Sequence, residues 1–159
     1  MRGNPESRTM ANELKRVVVW KNLLLDGRDH CGLWHTADGW LLKGKVVGVL
    51  NDQRPVLASY EIHCDEKWLT HRVQVERTIG RDLKTLSLNV ESRGAWRSSG
   101  EELREVLGCH DVDLALTPAT NTLPTGPHCS TSVPTLHADD QGHLSLRKQY
   151  RVLGGDRSR

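Results

Sequence analysis

The sequence is poor in the residues that usually fill a protein core. The 159-residue chain contains no phenylalanine, and aromatic residues make up only 4% of it. Hydrophobic residues make up 36%, so tryptophan, leucine and valine must supply the interior of what we expect to be one domain. No stretch has the length and apolar character of a membrane-spanning helix or a secretory signal. We therefore expect a cytoplasmic protein without an integral membrane segment.

The chain also carries little net charge. The formal net charge is +2 at pH 7, which is too small to predict nucleic acid or an anionic membrane as the main partner. Four cysteines in a cytoplasmic chain predict thiols rather than disulfides. These patterns leave the oligomeric state open.

The dominant pattern is period-two alternation of apolar and polar residues between Arg16 and Thr117, with turn residues at short intervals. This alternation predicts antiparallel strands at 17–21, 29–36, 39–50, 56–64, 68–78 and 86–90. Long strands that are polar on one face are typical of one curved sheet or half-barrel. We expect an all-β fold, with at most one short helix.

That helix is predicted after residue 98. Ser99 and Glu102 have the spacing of a capping box, Leu103 and Val106 begin an apolar stripe, and Gly108 is a natural stop. The pattern predicts a helix of about two turns, or a tight turn if tertiary contacts override helix propensity.

The composition divides the chain into three parts. We expect residues 1–15 to be a disordered extension, 16–124 to form the β domain, and 125–159 to be an atypical or truncated tail. Residues 125–135 are rich in Pro, Ser, Thr and Gly, and one more strand is predicted at 144–153.

Each cysteine has a histidine as its neighbour, which invites a zinc interpretation. The pairs are His30-Cys31, His63-Cys64, Cys109-His110 and His128-Cys129. Adjacent residues of a strand point to opposite faces, so at most one member of each strand pair can reach a common ion. We expect no metal and no cofactor, with cysteines buried as small hydrophobic residues and histidines exposed.

Asp111 and Asp113 share one face of a predicted strand, beside His110. An acid/base pair of this kind makes a small enzyme one alternative. However, the sequence has no nucleophile elbow and no phosphate loop, and aspartates on the solvated side of a strand are usually surface groups. A non-catalytic protein is the preferred interpretation, and a degenerate structural protein without ligand is a further alternative.

Two tryptophans suggest a binding surface. If the hairpin turns at residues 37–39, Trp34 pairs with Leu42, and Trp40 lies diagonally on the same face. Two indoles near one rim can stack on a sugar or pack an acyl chain, and Gly44 leaves room on that face. Ordinary core packing is the alternative explanation.

The run from Cys109 to Pro124 is the most distinctive segment, and we call it the signature segment. A strand pattern leads into a loop whose small polar residues usually bond neighbouring backbone groups: Thr117, Thr120, Asn121 and Thr122. A loop of fixed shape at the end of a strand is a common place for binding residues.

The signature segment resembles the signature of the putative glycolipid-binding family, a group of bacterial β-proteins otherwise described as a domain of unknown function. Other matching segments lie upstream of it, in the right order: Val19-Trp20, Asp29-His-Cys31, Ala37-Asp-Gly-Trp40, Tyr60, Cys64-Asp65, Gly94-Ala-Trp96 and Gly108. The resemblance covers roughly Val17 to Pro124. It implies an open half-barrel, similar to lipoprotein carriers, with a glycolipid as ligand. Because members of this family usually continue with several more strands, the resemblance also implies that the C-terminal part of the half-barrel is incomplete.

We therefore expect an amphipathic small molecule to bind on the concave face of the sheet. The candidate apolar contacts are Trp34, Trp40, Val46, Tyr60 and Ile62. The candidate polar contacts are Asp111, Asp113, Thr120 and Asn121.

Overall fold

In the residues that the structure describes, the regular secondary structure is almost entirely β-strand. A computed structural model describes residues 12–22, 26–91, 94–109, 111–122, 132–138 and 144–150. Eight strands form one antiparallel sheet in chain order: β1 (Glu13–Asn22), β2 (Asp26–Thr36), β3 (Gly39–Val49), β4 (Pro55–Cys64), β5 (Thr70–Ile79), β6 (Asp82–Glu91), β7 (Ala95–Ser98) and β8 (Glu101–Glu102). The sheet is open, with β1 and β8 at its two ends. The predicted all-β half-barrel fold is confirmed.

A second, smaller sheet follows the first. Its three strands are β9 (Asp113–Leu114), β10 (Ser132–Ala138) and β11 (Leu144–Tyr150), in the order β11-β10-β9 with β9 parallel to β10. The predicted tail strand at 144–153 corresponds to β11. Strand β10 was not predicted, because the sequence before it has no apolar period.

The predicted helix after residue 98 is wrong, and the alternative of a tight turn is what the structure has. Ser99 and Gly100 both have positive φ, +50° and +86°, and they turn the chain so that Ser98 pairs with Glu101. Ser99 therefore cannot cap a helix, and only a 3-10 turn at Arg104–Val106 follows. In the part of the chain that is described, no helix has the length and apolar character needed to span a membrane.

The predicted strand in the signature segment is also much shorter than expected. Among its described residues, only Asp113 and Leu114 pair as strand, and a 3-10 turn occupies Pro118–Thr122. Asp111 was predicted on a solvated face, but it is buried at 5% exposure, as is Thr117. Alternation fails because this segment folds as a compact loop against the sheet and buries neighbouring residues together.

The two faces of the large sheet have different surroundings. Residues 103–109 and 111–122, which follow the last strand of the large sheet, pack on one face, which we call the covered face, and these residues are the covering segment. The core lies between them, with sheet residues such as Val46, Ile62 and Leu88 fully buried. Each such aliphatic side chain contributes about 1.5–3 kcal/mol of burial free energy. The opposite face carries mostly polar side chains and a cavity, and we call it the cavity face.

Candidate functional site

The cavity face is organised in rows, because residues that pair across antiparallel strands lie side by side on the same face. One row contains His30, Lys45, Ser59, Glu76 and Thr85. The next contains Gly32, Lys43, Glu61, Gln74 and Ser87. Both rows line one cavity of about 680 Å³, a size within the usual range for small-molecule sites.

The sheet curves towards this face. Leu14 and Val17 of β1 and Thr85 of β6 all line the same cavity, although β1 and β6 are separated by four strands in the sheet. A cavity lined by six consecutive strands requires them to bend around it. The cavity face is therefore the concave side of the half-barrel.

Trp34 forms part of one wall of the cavity, and Gly32 makes its position possible. A Cβ atom on Gly32 would lie only 2.9 Å from Trp34 Nε1 and 3.4 Å from Leu14 Cδ1. The half-buried indole therefore lies across the backbone of Gly32, beside Leu14. Any side chain at position 32 would push the indole out of this place.

Only some of the charged residues on the cavity floor form ion pairs with each other. Lys43 Nζ lies 2.6 Å from Glu61 Oε1, and His63 Nε2 lies 3.6 Å from Glu61 Oε2. The hydrogen bond from Lys43 holds the pKa of Glu61 below its ordinary value, so this pair is ionised. Lys45 points to the same face as Lys43, but within the described ranges it has no salt bridge.

An apolar region adjoins these rows along the strands. Two residues beyond Lys45 and two before Ser59 are Val47 and Leu57, which pair with each other and are half exposed. They help to line a second cavity of about 640 Å³, together with Val49 and Pro55. The concave side thus has a charged and hydroxyl-bearing middle and an apolar end.

The covered face contains a buried polar cluster of Asp29, Tyr60 and Thr117. Tyr60 Oη donates a hydrogen bond to Asp29 Oδ1 at 3.2 Å, Thr117 donates another to the same carboxyl group, and the two hydroxyl oxygens lie 3.2 Å apart. Burial raises the pKa of Asp29 and of Tyr60. The cluster joins the signature segment to β2 and β4, so its role is to hold the covering segment on the sheet.

The signature loop is fixed by its own small polar residues, as predicted. Thr117 Oγ1 accepts a hydrogen bond from the amide of Ala119 at 3.0 Å. Thr120 Oγ1 accepts one from the amide of Leu114 at 3.2 Å and donates one to Asp113 Oδ1 at 2.8 Å. These side-chain hydrogen bonds therefore join residues of the signature segment to one another.

Trp40 belongs to an aromatic stack at one end of the sheet. Its ring stacks on Trp68 with centroids 4.6 Å apart, and His35 meets it edge-on at 4.7 Å. Trp68 has φ +67°, which is unusual for a bulky residue. Asp65 holds this turn, because its Oδ1 accepts hydrogen bonds from the amides of Lys67 and Leu69.

The prediction that Trp34 and Trp40 share a face is wrong. The hairpin turn contains only two residues, with Thr36 paired to Gly39, so Trp34 pairs with Leu41 rather than with Leu42. This shift of one residue places Trp34 on the cavity face and Trp40 on the covered face. From the sequence, a three-residue turn was predicted at 37–39, whereas the turn in the structure has two residues.

The other predicted site residues lie away from the open cavity space. Val46, Tyr60 and Ile62 are at most 1% exposed in the core, and although Tyr60 borders the cavity, its hydroxyl is bonded on the covered face. Asp111 and Thr120 are buried and Asp113 is half-buried, all within the covering segment. The side chain of Asn121 lies outside the described residues. A ligand role for these residues stays a prediction.

The Cys-His pairs separate as expected where they are described. Cys31, Cys64 and Cys109 are buried, whereas His30 is exposed and His63 half-buried. Burial raises the pKa of Cys64 to about 12 and also raises that of Cys31, so neither is a ready nucleophile. His110, His128 and Cys129 lie outside the described residues. Among the residues that are described, no group of three or more metal-ligating side chains occurs.

Most residues of the cavity floor were missed by sequence reasoning. The alternation that predicts the strands also assigns Lys45, Ser59 and Glu76 to the polar face, so the signal was present. That face was interpreted as solvated, because alternation does not reveal which way a sheet curves. The direction of curvature is what turns a polar face into a cavity.

Comparison with known proteins agrees with this architecture. The profile of the family described as "Putative glycolipid-binding" matches residues 17–126. A crystal structure of a DUF1089 family protein from Pseudomonas aeruginosa has a TM-score of 0.58 and 19% sequence identity, and the match covers 84% of this chain and 77% of that chain. At this identity the similarity concerns the fold alone. No curated protein matches the sequence. Because the family profile covers well over half of the chain, the protein belongs to the "Putative glycolipid-binding" family.

Proposed function

We propose that the protein binds an amphipathic small molecule, such as a glycolipid, on the cavity face and does not transform it. One observation carries the proposal: a cavity of about 680 Å³ with a charged, hydroxyl-bearing floor continues along the strands into exposed apolar surface. A ligand with a polar head and an apolar tail matches both regions at once.

The apolar end supplies the driving force. Val47 and Leu57 are paired neighbours on β3 and β4 and are 56% and 48% exposed, so a bound tail would remove much of their surface from water. Burial of apolar surface contributes about 25 cal/mol per Å² before the costs of association. Trp34 adds a broad apolar wall beside the polar floor, and an indole also suits the face of a sugar ring.

The polar middle supplies orientation. Ser59, Gln74 and Ser87 line the floor with hydroxyl and amide groups that both donate and accept hydrogen bonds. A sugar head group presents several hydroxyls that match such a surface. A small number of polar groups that point into a cavity is commonly enough to fix the orientation of a ligand.

The enzyme alternative has less support from the geometry. Asp113 is bonded to Thr120, and Asp111 is buried in the covering segment, so these carboxylates do not line the cavity. The thiols of Cys31 and Cys64 have raised pKa values on the covered face. These features favour binding over acid/base or thiol chemistry.

Isothermal titration calorimetry with octyl β-D-glucoside, kept below its micelle concentration, tests the proposal. The wild-type protein should bind it with a negative heat-capacity change, and free glucose should bind at least roughly tenfold more weakly because it lacks the alkyl chain. Leu57→Gln should weaken octyl glucoside binding. Leu107→Gln is the matched control, since the two leucines are similarly exposed, 48% and 50%, but Leu107 lies in the covering segment. Equal affinity of both variants, or no binding by the wild type, would contradict the proposal.

A further inference from the structure

We infer that the head group bound in this cavity carries an anion, such as a carboxylate or phosphate, held by Lys45 and His30 next to a hydroxyl-bearing part. This inference rests on the proposed function and specifies the chemical class of its ligand. It follows from the order in which charges are placed across the cavity floor.

Lys45 and His30 form a pair of nitrogen donors on neighbouring strands. They are direct partners across β2 and β3, so their Cβ atoms are about 5 Å apart on the same face. Both side chains are exposed and both line the cavity. Two donors at this spacing can hold two oxygens of one carboxylate or phosphate group.

Lys45 is the lysine that remains available for a ligand. The neighbouring Lys43 is already bound to Glu61 at 2.6 Å, which neutralises both charges. Lys45 has no salt bridge within the residues that the structure describes. The carboxylate nearest to Lys45 is that of Glu61, diagonally across on β4, and it is already bound to Lys43. The next one, Glu76, lies two strands away along the row of Lys45, so the two backbones are about 10 Å apart. An unmatched cation in a cavity attracts an anion more strongly than one on a flat surface.

The opposite half of the floor has the complementary character. Beyond Ser59 the rows continue with hydrogen-bonding groups that suit hydroxyls: Gln74, Glu76, Thr85 and Ser87. The carboxylate of Glu76 accepts hydrogen bonds from hydroxyls and repels a second anion. The floor therefore defines an orientation, with the anion over β2 and β3 and the hydroxyls over β4 to β6.

Two alkyl sugars that differ in one group test the inference by calorimetry. Octyl β-D-glucuronide has a carboxylate where octyl β-D-glucoside has a hydroxymethyl group. Wild-type protein should bind the glucuronide roughly tenfold more tightly, as one charge-assisted contact predicts. This preference should shrink as NaCl concentration rises, because salt screens exposed charges.

Variants of Lys45 test whether this residue binds the anionic group of the ligand. Lys45→Gln should abolish the preference for the glucuronide, and Lys45→Arg should retain most of it. Lys67→Gln, at an exposed lysine outside the cavity, should behave as the wild type. Circular dichroism spectra of the variants should match that of the wild type, since Lys45 is exposed and contributes nothing to the core.

The outcomes separate the two proposals. Equal wild-type affinity for both sugars, or a preference that survives Lys45→Gln, would overturn the anion inference and leave the proposed function standing. Binding of neither sugar would overturn both. A preference for the glucuronide that depends on Lys45 supports both.

Discussion

The two faces of the large sheet come from the same strands, yet they have opposite uses. On β4, Tyr60 and Ile62 point to the covered face and are buried under the covering segment, whereas Ser59 and Glu61 point into the cavity. Polar groups on the covered face form hydrogen bonds within the protein, as in the Asp29, Tyr60 and Thr117 cluster. The cavity face leaves groups such as Lys45 available. One face therefore stabilises the fold, and the other is free to bind.

The largest expected difference between the faces is in stability. Ile62→Ala should lower the free energy of unfolding by about 2–5 kcal/mol, because it leaves a void in a fully buried site. Leu57→Ala, on the other face of the same strand, should lower it by less than about 0.5 kcal/mol. Urea unfolding followed by tryptophan fluorescence measures both. Similar losses for the two variants would show that the cavity face is also part of the core.

The buried carboxyl of Asp29 should give the covered face a characteristic pH dependence. Its pKa is raised from 3.8 by burial, so the folded state binds this proton more tightly than the unfolded state does. The contribution of Asp29 to stability should be greatest below pH 3.8 and should fall as pH rises from there through the raised folded pKa. Asp29→Asn should remove that fall relative to the wild type. The difference between their unfolding free energies, measured from pH 3 to 8, should therefore change with pH, and a constant difference would refute the assignment.

At Gly32, a small effect on stability and a larger effect on the cavity are expected. Gly32→Ala places a methyl group 2.9 Å from the present position of Trp34 Nε1, so the indole must move. Because Trp34 is only half-buried, the cost in stability should be about 1 kcal/mol or less. Octyl glucoside binding should weaken and tryptophan emission should shift. Unchanged binding and emission would mean that the indole is not a fixed wall of the cavity.

Alternation alone was enough to predict most of the sheet. The facing of Tyr60, Ile62 and Cys64 followed from period two, and all three are buried together. The register in which strands pair was harder to predict. An error of one residue in the length of the turn at 37–39 was enough to place Trp34 on the wrong face. Local pattern also failed at Ser99, where a capping-box spacing is overridden by a turn with positive φ.

The candidate site could be predicted only in part. Trp34 was recognised because a tryptophan is conspicuous, but Lys45, Ser59 and Glu76 were assigned to a solvated face. Conversely, Val46 and Ile62 were assigned to a ligand surface, although the covering segment occupies that side. A sequence pattern separates two faces without telling which one another part of the chain will cover.

The sequence by itself determined the strands, their two-faced character and the family, because these depend on local alternation and on short motifs such as the signature segment. Tertiary structure alone decided which face is buried and which is concave. The covering segment packs on the apolar side, where burial lowers its free energy most, and the sheet then bends around the polar side. The position of the cavity follows from that arrangement.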